Sequence, residues 1–292
     1  MRWANVWWES GRRLAVEGET EWRILPASVD EVPFGATDDL WTVWDGGGDL
    51  PTVLARALAE AQPVPKAAVT LLPSVLRPSR IFCIGRNYRA HAAETGAEIP
   101  DVPVVFNKFP NTITAAGAPV PYPPATEELD YEVELVAVMG RRAWRVPESR
   151  ALAYVGGYTV GNDVSARDLQ HRTSQWLLGK SLPGFAPLGP VLVTRDELQD
   201  PGGLAIQLDL NGERRQDSNT AAMIFSVPQL IAYLSNILPL EPGDVLFTGT
   251  PDGVILGQPP DRRRWLKPGD VMTARIERIG TLENRIGEPL EA

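Results

Sequence analysis

Glu132 and Glu134 stand two apart in the run Asp130-Tyr131-Glu132-Val133-Glu134-Leu135-Val136-Ala137-Val138. Its alternation and β-branched content predict a β-strand. Side chains two apart on a strand share a face, so both carboxylates point the same way, at the edge of an apolar stripe continued by Val136 and Val138. Like charges this close repel, and one carboxyl stays protonated unless a cation lies between them. A hard divalent ion removes the difficulty and keeps coordination positions open for substrate oxygens. The chain has two histidines, His91 and His171, and one cysteine, Cys83. Histidine-rich and thiolate metal centres are therefore excluded, which leaves oxygen ligands and Mg²⁺, Mn²⁺ or Ca²⁺. Asp163, at the end of the strand-like Val155–Asp163, is the third candidate ligand. The competing reading of Glu-x-Glu is a solvated strand face.

His91 and Glu94 are three apart in a short helical stretch after Gly85-Arg86-Asn87-Tyr88. That spacing puts them on one face, where a carboxylate can hold the imidazole in one tautomer and make it a general base. An exposed helix pair is the alternative. Asn87 is the expected helix cap and Gly96 the expected stop. Lys180 sits beside a mainly apolar run and near the acids would stay charged and bind an anionic substrate; a snorkelling surface lysine is the alternative. His171, with no carboxylate following at helical spacing, is assigned a structural role, and Cys83 an inert core position.

Positioning these groups requires a mostly β framework. Strands are expected over Arg80–Ile84, Pro103–Lys108, Asp130–Val138, Val155–Asp163 and Ile206–Leu210, the last turning at Asn211-Gly212. Glycines in Val155–Asp163 suggest close backbone approach. Ser226 is placed to cap a helix with Leu230, Ile231, Leu234, Ile237 and Leu238 on its core face. Pro-Gly-Asp-Val occurs twice, at Pro242 and Pro268, as a type II turn feeding a strand. Phe247-Thr248-Gly249-Thr250 ends a strand in a loop whose hydroxyls and amides are expected to be exposed. Residues 1–75, rich in tryptophan and followed by clustered prolines, read as a small N-terminal domain with turns around Gly46-Gly47-Gly48 and a helix over Leu54–Ala61. Residues 76–292 form the larger domain.

A net charge of −9 argues against nucleic acid as a partner. Arg262, Arg263 and Arg264 read as a solvated face of a Pro-rich loop. No apolar run approaches the roughly 20 residues needed to cross a bilayer, and the first residues lack a signal-peptide core. A cytoplasmic location and no membrane partner are expected.

Five motifs now share one explanation. Gly-Arg-Asn-Tyr-x-x-His-x-x-Glu at 85–94, Asp-Tyr-Glu-x-Glu-Leu at 130–135, Gly-Tyr-Thr-x-x-Asn-Asp-Val-Ser-Ala-Arg-Asp at 157–168, Gly-Lys-Ser at 179–181 and Thr-Gly-Thr-Pro at 248–251 resemble the fumarylacetoacetate hydrolase family, in unbroken order over residues 75–287. The branch they are most similar to contains acylpyruvate hydrolases and 2-hydroxyhepta-2,4-diene-1,7-dioate isomerases. The resemblance implies an α+β catalytic domain with a mixed β-roll, a homodimer, and Mg²⁺ or Mn²⁺ held by Glu132, Glu134 and Asp163. It implies that His91, Glu94 and Lys180 are catalytic and that Arg86, Tyr88, Gln170 and Thr250 contact the oxo-acid end of a small 2-oxo acid. The implied activity is metal-dependent hydrolysis of a C–C bond in an acylpyruvate-like acid through a metal-held enolate. An isomerase, decarboxylase or hydratase of an unsaturated 2-oxo diacid is the alternative, and a protein that only binds metal or small acids is a third. Gly85-Arg86-Asn87-Tyr88 lacks the additional acid that true fumarylacetoacetases carry before the histidine, which disfavours fumarylacetoacetate itself. Pro183-Gly184 stands where many relatives have Asp-Thr.

Overall fold

The β-branched run after Glu132 forms the strand Val133–Met139, all of whose residues are buried. A strand covered on both faces contributes to two cores. Val133, Leu135, Ala137 and Met139 enter one apolar cluster, whereas Val136 and Val138 join Ile81, Cys83, Val245 and Phe247 in another. Val155–Asn162 and Val245–Phe247 flank it, both antiparallel. Gly161 makes this close approach possible: a Cβ there would lie 2.5 Å from both Val136 Cγ2 and Phe247 Cε1.

The computed structural model describes residues 1–26 and 57–289. Beyond Val155–Asn162 the main sheet continues through Ala186–Thr194 to Arg2–Trp8, Gly11–Glu17, Glu21–Ile24 and Gln62–Pro65; beyond Val245–Phe247 it continues to Ile81–Gly85 and Val104–Lys108. Arg2 and Trp3 pair with Val193 and Leu192, so the sheet runs across the boundary expected near residue 75. Trp3, Leu25 and Val75 share an apolar cluster with Ile81 and Cys83. Trp3 and Trp22 are core residues, but Trp7 is exposed. The turn at Gly46-Gly47-Gly48 lies outside the described residues, as does most of the helix expected over Leu54–Ala61, of which 57–59 are helical.

A second sheet orders Glu213–Asn219, Ala205–Leu210, Val271–Ile276, Gly280–Pro289 and Val120–Tyr122. Asn211 and Gly212, at φ 53° and 84°, make the expected hairpin turn. Gly243 and Gly269, at φ 81° and 94°, suit the two expected type II turns. The helix Val227–Ile237 buries Val227, Leu230, Ile231 and Leu234, and Ser226 N–H donates to Gln229 Oε1 at 2.9 Å. Ile237 departs from the expected core face and is 62% exposed. Mixed sheets with few helices make the architecture α+β, as expected. Among the described residues no helix is long and apolar enough to cross a membrane.

Candidate active site

The acids of the candidate metal site come from the paired ends of two strands. Val133 is opposite Asn162, and Asp163 N–H donates to Glu132 O at 2.9 Å. Glu132, Glu134 and Asp163 are buried, and each offers one carboxylate oxygen within 4.8 Å of the others. This overturns the solvated-face alternative, because no member of the trio is more than 5% exposed.

Cations surround the trio unevenly. Lys180 Nζ donates to Glu132 Oε2 at 2.9 Å and to Asp163 Oδ2 at 2.8 Å. Lys180 is 2% exposed. Burial pulls its pKa down, but the Asp163 and Glu132 charges win and raise it, so the ammonium is a fixed charge. Arg167 Nη2 donates to Glu132 Oε1 at 2.6 Å, its Nε to Asp130 Oδ2 at 2.9 Å, and its Nη1 to Gln170 Oε1 at 2.9 Å. Burial raises the Glu132 pKa, yet Lys180 and Arg167 override it and hold the carboxyl far below its usual range.

Glu134 is treated differently. Its carboxylate accepts from Gly249 N–H at 2.6 Å, and burial, followed by the Asp163 and Glu132 charges, pushes its pKa well up. A buried acid beside two like charges is the environment that a divalent cation relieves. The all-oxygen donor set matches Mg²⁺ or Mn²⁺. The residues present therefore fit the expected metal.

His91 projects from the helix Arg89–Glu94, and its Nδ1 lies 3.0 Å from Glu94 Oε1. Gly253 N–H donates to both Glu94 oxygens, at 3.1 and 3.0 Å, so the 253–257 loop holds the carboxylate against the imidazole. Asn87 does not cap this helix as expected: Tyr88 is the N-cap. The Asn87 amide instead donates to Phe225 O and Thr248 O at 2.9 and 2.7 Å and accepts from Phe225 N–H at 2.8 Å. It ties the His91 loop to the Thr248 loop, a tertiary demand that outcompetes local capping. Gly85 and Arg86 make the turn. A Cβ on Gly85 would meet Trp176 at 2.5 Å, and Arg86 adopts φ 58°, the strained left-handed region typical of functional loops.

A cleft of about 490 Å³ joins these groups, lined by His91, Glu94, Glu132, Glu134 and Lys180 together with Arg86, Gln170 and Thr250. Tyr88 is not brought to this wall. It is buried, its hydroxyl has no hydrogen-bond partner among the described residues, and burial beside Glu134 raises its pKa. The Thr248 and Thr250 hydroxyls, expected to be exposed, are turned inward. They donate to Leu135 O at 2.8 Å and Val133 O at 2.9 Å, while Gln216 Nε2 donates to Thr250 Oγ1 at 2.8 Å. These bonds satisfy the backbone where the strand ends in a buried place. Phe106 and Trp176 pack edge to face at 5.3 Å, with the Arg86 guanidinium 5.6 Å from the Trp176 ring and Lys180 Nζ 5.1 Å from that of Phe106.

Sequence reasoning missed five participants. Lys108 is fully buried with its Nζ 2.5 Å from Asp163 Oδ1; its signal was a lysine closing an apolar strand. Arg167 and Asp130 lie inside the quoted motifs, yet only the fold shows them bonded. His171, given a structural role, is exposed and lines the cleft, as does the half-buried Arg263 from the triple-arginine loop.

Comparison with known proteins shows the family. The family model described as fumarylacetoacetate (FAA) hydrolase, C-terminal, matches residues 80–287. The chain is 42% identical over 237 residues to the rat protein "Oxaloacetate tautomerase Fahd2a, mitochondrial", covering 80% of this chain and 75% of that one. The rat protein's name places it in mitochondria, a location that the cytoplasmic expectation does not share. The solved structure of fumarylacetoacetate hydrolase from psychrophilic Exiguobacterium antarcticum superposes with a TM-score of 0.83 at 34% identity, covering 99% of each chain. Maleylpyruvate hydrolase from Sphingobium sp. SYK-6, in complex with manganese(II) ion and pyruvate, superposes at 0.81 with 25% identity, covering 99% of this chain and 100% of that one. Because the matched segment contains the whole acidic trio, the His91–Glu94 pair and Lys180, the chain belongs to the fumarylacetoacetate hydrolase family of enzymes.

Proposed function

We propose that the enzyme interconverts the enol and keto forms of a small 2-oxo acid, carrying a proton between carbon and oxygen. The observation that carries this reading is that the His91–Glu94 pair shares one cleft with Glu132 and Glu134, whose carboxylates gather with that of Asp163. With Glu94 accepting from Nδ1–H, a tautomer assigned from the hydrogen bond, Nε2 of His91 is the proton acceptor toward substrate. A divalent cation held by the trio, Mg²⁺ or Mn²⁺, supplies Lewis acidity toward the carboxylate and carbonyl oxygens of such an acid. Lys180 holds a permanent positive charge beside them, preorganised to offset negative charge that develops on the oxygen. Arg86 and Gln170 contribute donors at the same end. The name of the rat relative, an oxaloacetate tautomerase, supports placing tautomerisation ahead of the C–C hydrolysis first expected.

Hydrolysis of an acylpyruvate-like acid is the second reading. The same histidine can take a proton from water, and the Exiguobacterium and Sphingobium relatives are named hydrolases. The homodimer stays part of both readings, with sedimentation velocity as its check. Mg²⁺-loaded enzyme should speed the ultraviolet change of enol-oxaloacetate to the keto form, and EDTA should abolish that acceleration. Pyruvate released from acetylpyruvate, with no effect on oxaloacetate tautomers, would replace the first reading by the second.

A further inference from the structure

We infer that Arg263 binds the second carboxylate of the substrate, so that this cleft selects 2-oxo dicarboxylates over 2-oxo monocarboxylates. This rests on the 2-oxo acid reading above and adds the class of acid. The structure divides the triple-arginine loop: Arg262 and Arg264 are exposed, while Arg263 is half-buried and lines the same cleft as Glu132 and Glu134.

The loop is anchored to the strand entry that carries Glu132. Ile255 and Leu256 N–H donate to the Asp130 carboxylate at 2.8 and 3.0 Å, and Leu266 N–H donates to Leu129 O at 3.0 Å. Arg263 is therefore held in a set place relative to the acids. Its Nε donates to Gln258 O at 3.0 Å, and its guanidinium lies 5.9 Å from the Trp265 ring. Its two terminal amino groups make no hydrogen bond among the described residues, and such a pair forms the fork that matches a carboxylate.

Other cations at the site are committed. Arg167 spends all three nitrogens on Asp130, Glu132 and Gln170. Lys180 serves Glu132 and Asp163, and Arg86 is assigned to the oxo-acid end. Among the described residues no carboxylate lies within ion-pair distance of Arg263. Glu128 is near enough to feel its charge, which opposes the upward push of burial and Asp168 on the Glu128 carboxyl. A monocarboxylate filling the oxo-acid end would leave this guanidinium without a partner in a partly desolvated place.

The test is calorimetric titration of Mn²⁺-loaded enzyme with pyruvate, oxaloacetate and 2-oxoglutarate, which share the oxo-acid end and differ in a second carboxylate. Wild type and Arg262→Met should prefer a diacid to pyruvate. Arg263→Met should lose about 10- to 100-fold in diacid affinity, the range of a charge-assisted hydrogen bond, with pyruvate affinity and melting temperature unchanged; Arg263→Lys should recover part of it. An unchanged diacid-to-pyruvate ratio in Arg263→Met, or a ratio lost in Arg86→Met instead, overturns the assignment. Failure of loaded wild type to bind any of the three acids, pyruvate included, removes the 2-oxo acid reading and this inference with it.

Discussion

Lys108 Nζ lies 2.5 Å from Asp163 Oδ1, and neither side chain reaches solvent. The same ammonium donates to the carbonyls of Val164, Lys180 and Phe185 at 3.0, 2.6 and 2.9 Å. Burial lowers its pKa, the Asp163 charge opposing. One edge strand thereby holds both Asp163, the third acid of the candidate metal site, and the segment that presents Lys180. Removing one partner of a buried ion pair costs about 3–5 kcal/mol when the other is left with no cation; Asp163 keeps its bond to Lys180, so the lower end of that range applies. Lys108→Met should lose that much in urea titrations and bind Mn²⁺ more weakly. A loss below about 1 kcal/mol would show that the pair is dispensable.

Glu134 should be a liability to the metal-free fold and a requirement for the loaded one. It is buried close to two other acids, and Gly249 supplies a hydrogen bond but no charge. Metal-free Glu134→Gln should melt above the metal-free wild type, because the neutral amide removes the repulsion. The same variant should give up metal-dependent stabilisation, seen as the melting shift between EDTA and Mn²⁺. Glu132→Ala and Asp163→Ala should also lose metal content, and full metal retention in both would exclude the trio as the site.

The dyad separates a catalyst from a protein that only binds. His91→Ala should lower turnover about 10²- to 10⁴-fold, the usual share of a general base, with metal content unchanged. Glu94→Gln should retain more activity, since an amide oxygen can still accept from Nδ1–H. Unaltered turnover in His91→Ala would exclude this base.

Gly257 gives a test of positioning that leaves both dyad residues in place. A Cβ there would lie 2.4 Å from Glu94 Oε2, and that carboxylate is already tied to His91 and Gly253. Gly257→Ala should push it from the imidazole and reduce kcat about 10- to 100-fold, the scale of an ångström-sized misplacement. Far-ultraviolet circular dichroism and metal content should stay as in wild type.

Glu17 reports on the docking of the N-terminal strands. Its carboxylate lies 2.7 Å from Arg2 Nε and 3.0 Å from Lys66 Nζ; burial raises its pKa, but these two cations win and lower it. A depressed folded-state pKa gives stability that is present above the ordinary carboxylate range and lost as pH falls through the folded-state value. Glu17→Gln should therefore cost about 1 kcal/mol or less at pH 7. Denaturant titrations should show that difference shrinking as the pH drops through the acidic range, where both proteins carry a neutral side chain.

Local patterns were enough for the strands, the hairpin at Asn211-Gly212, the two Pro-Gly turns and the shared face of Glu132 and Glu134, because alternation and turn chemistry act over a few residues. Helical spacing likewise put His91 beside Glu94. Pairings between distant segments were decided by the tertiary structure alone. Asn87 is a good cap in isolation, yet it serves Phe225 and Thr248; Thr250 reads as a loop hydroxyl, yet it is turned onto Val133. Lys108 meets Asp163 only because Val104–Lys108 closes one flank of the sheet. Arg263 leaves its two arginine neighbours because Asp130 and Leu129 anchor its loop. Sequence determined which groups were able to do chemistry. Burial, which makes every polar group find a partner wherever the fold offers one, decided which of them meet.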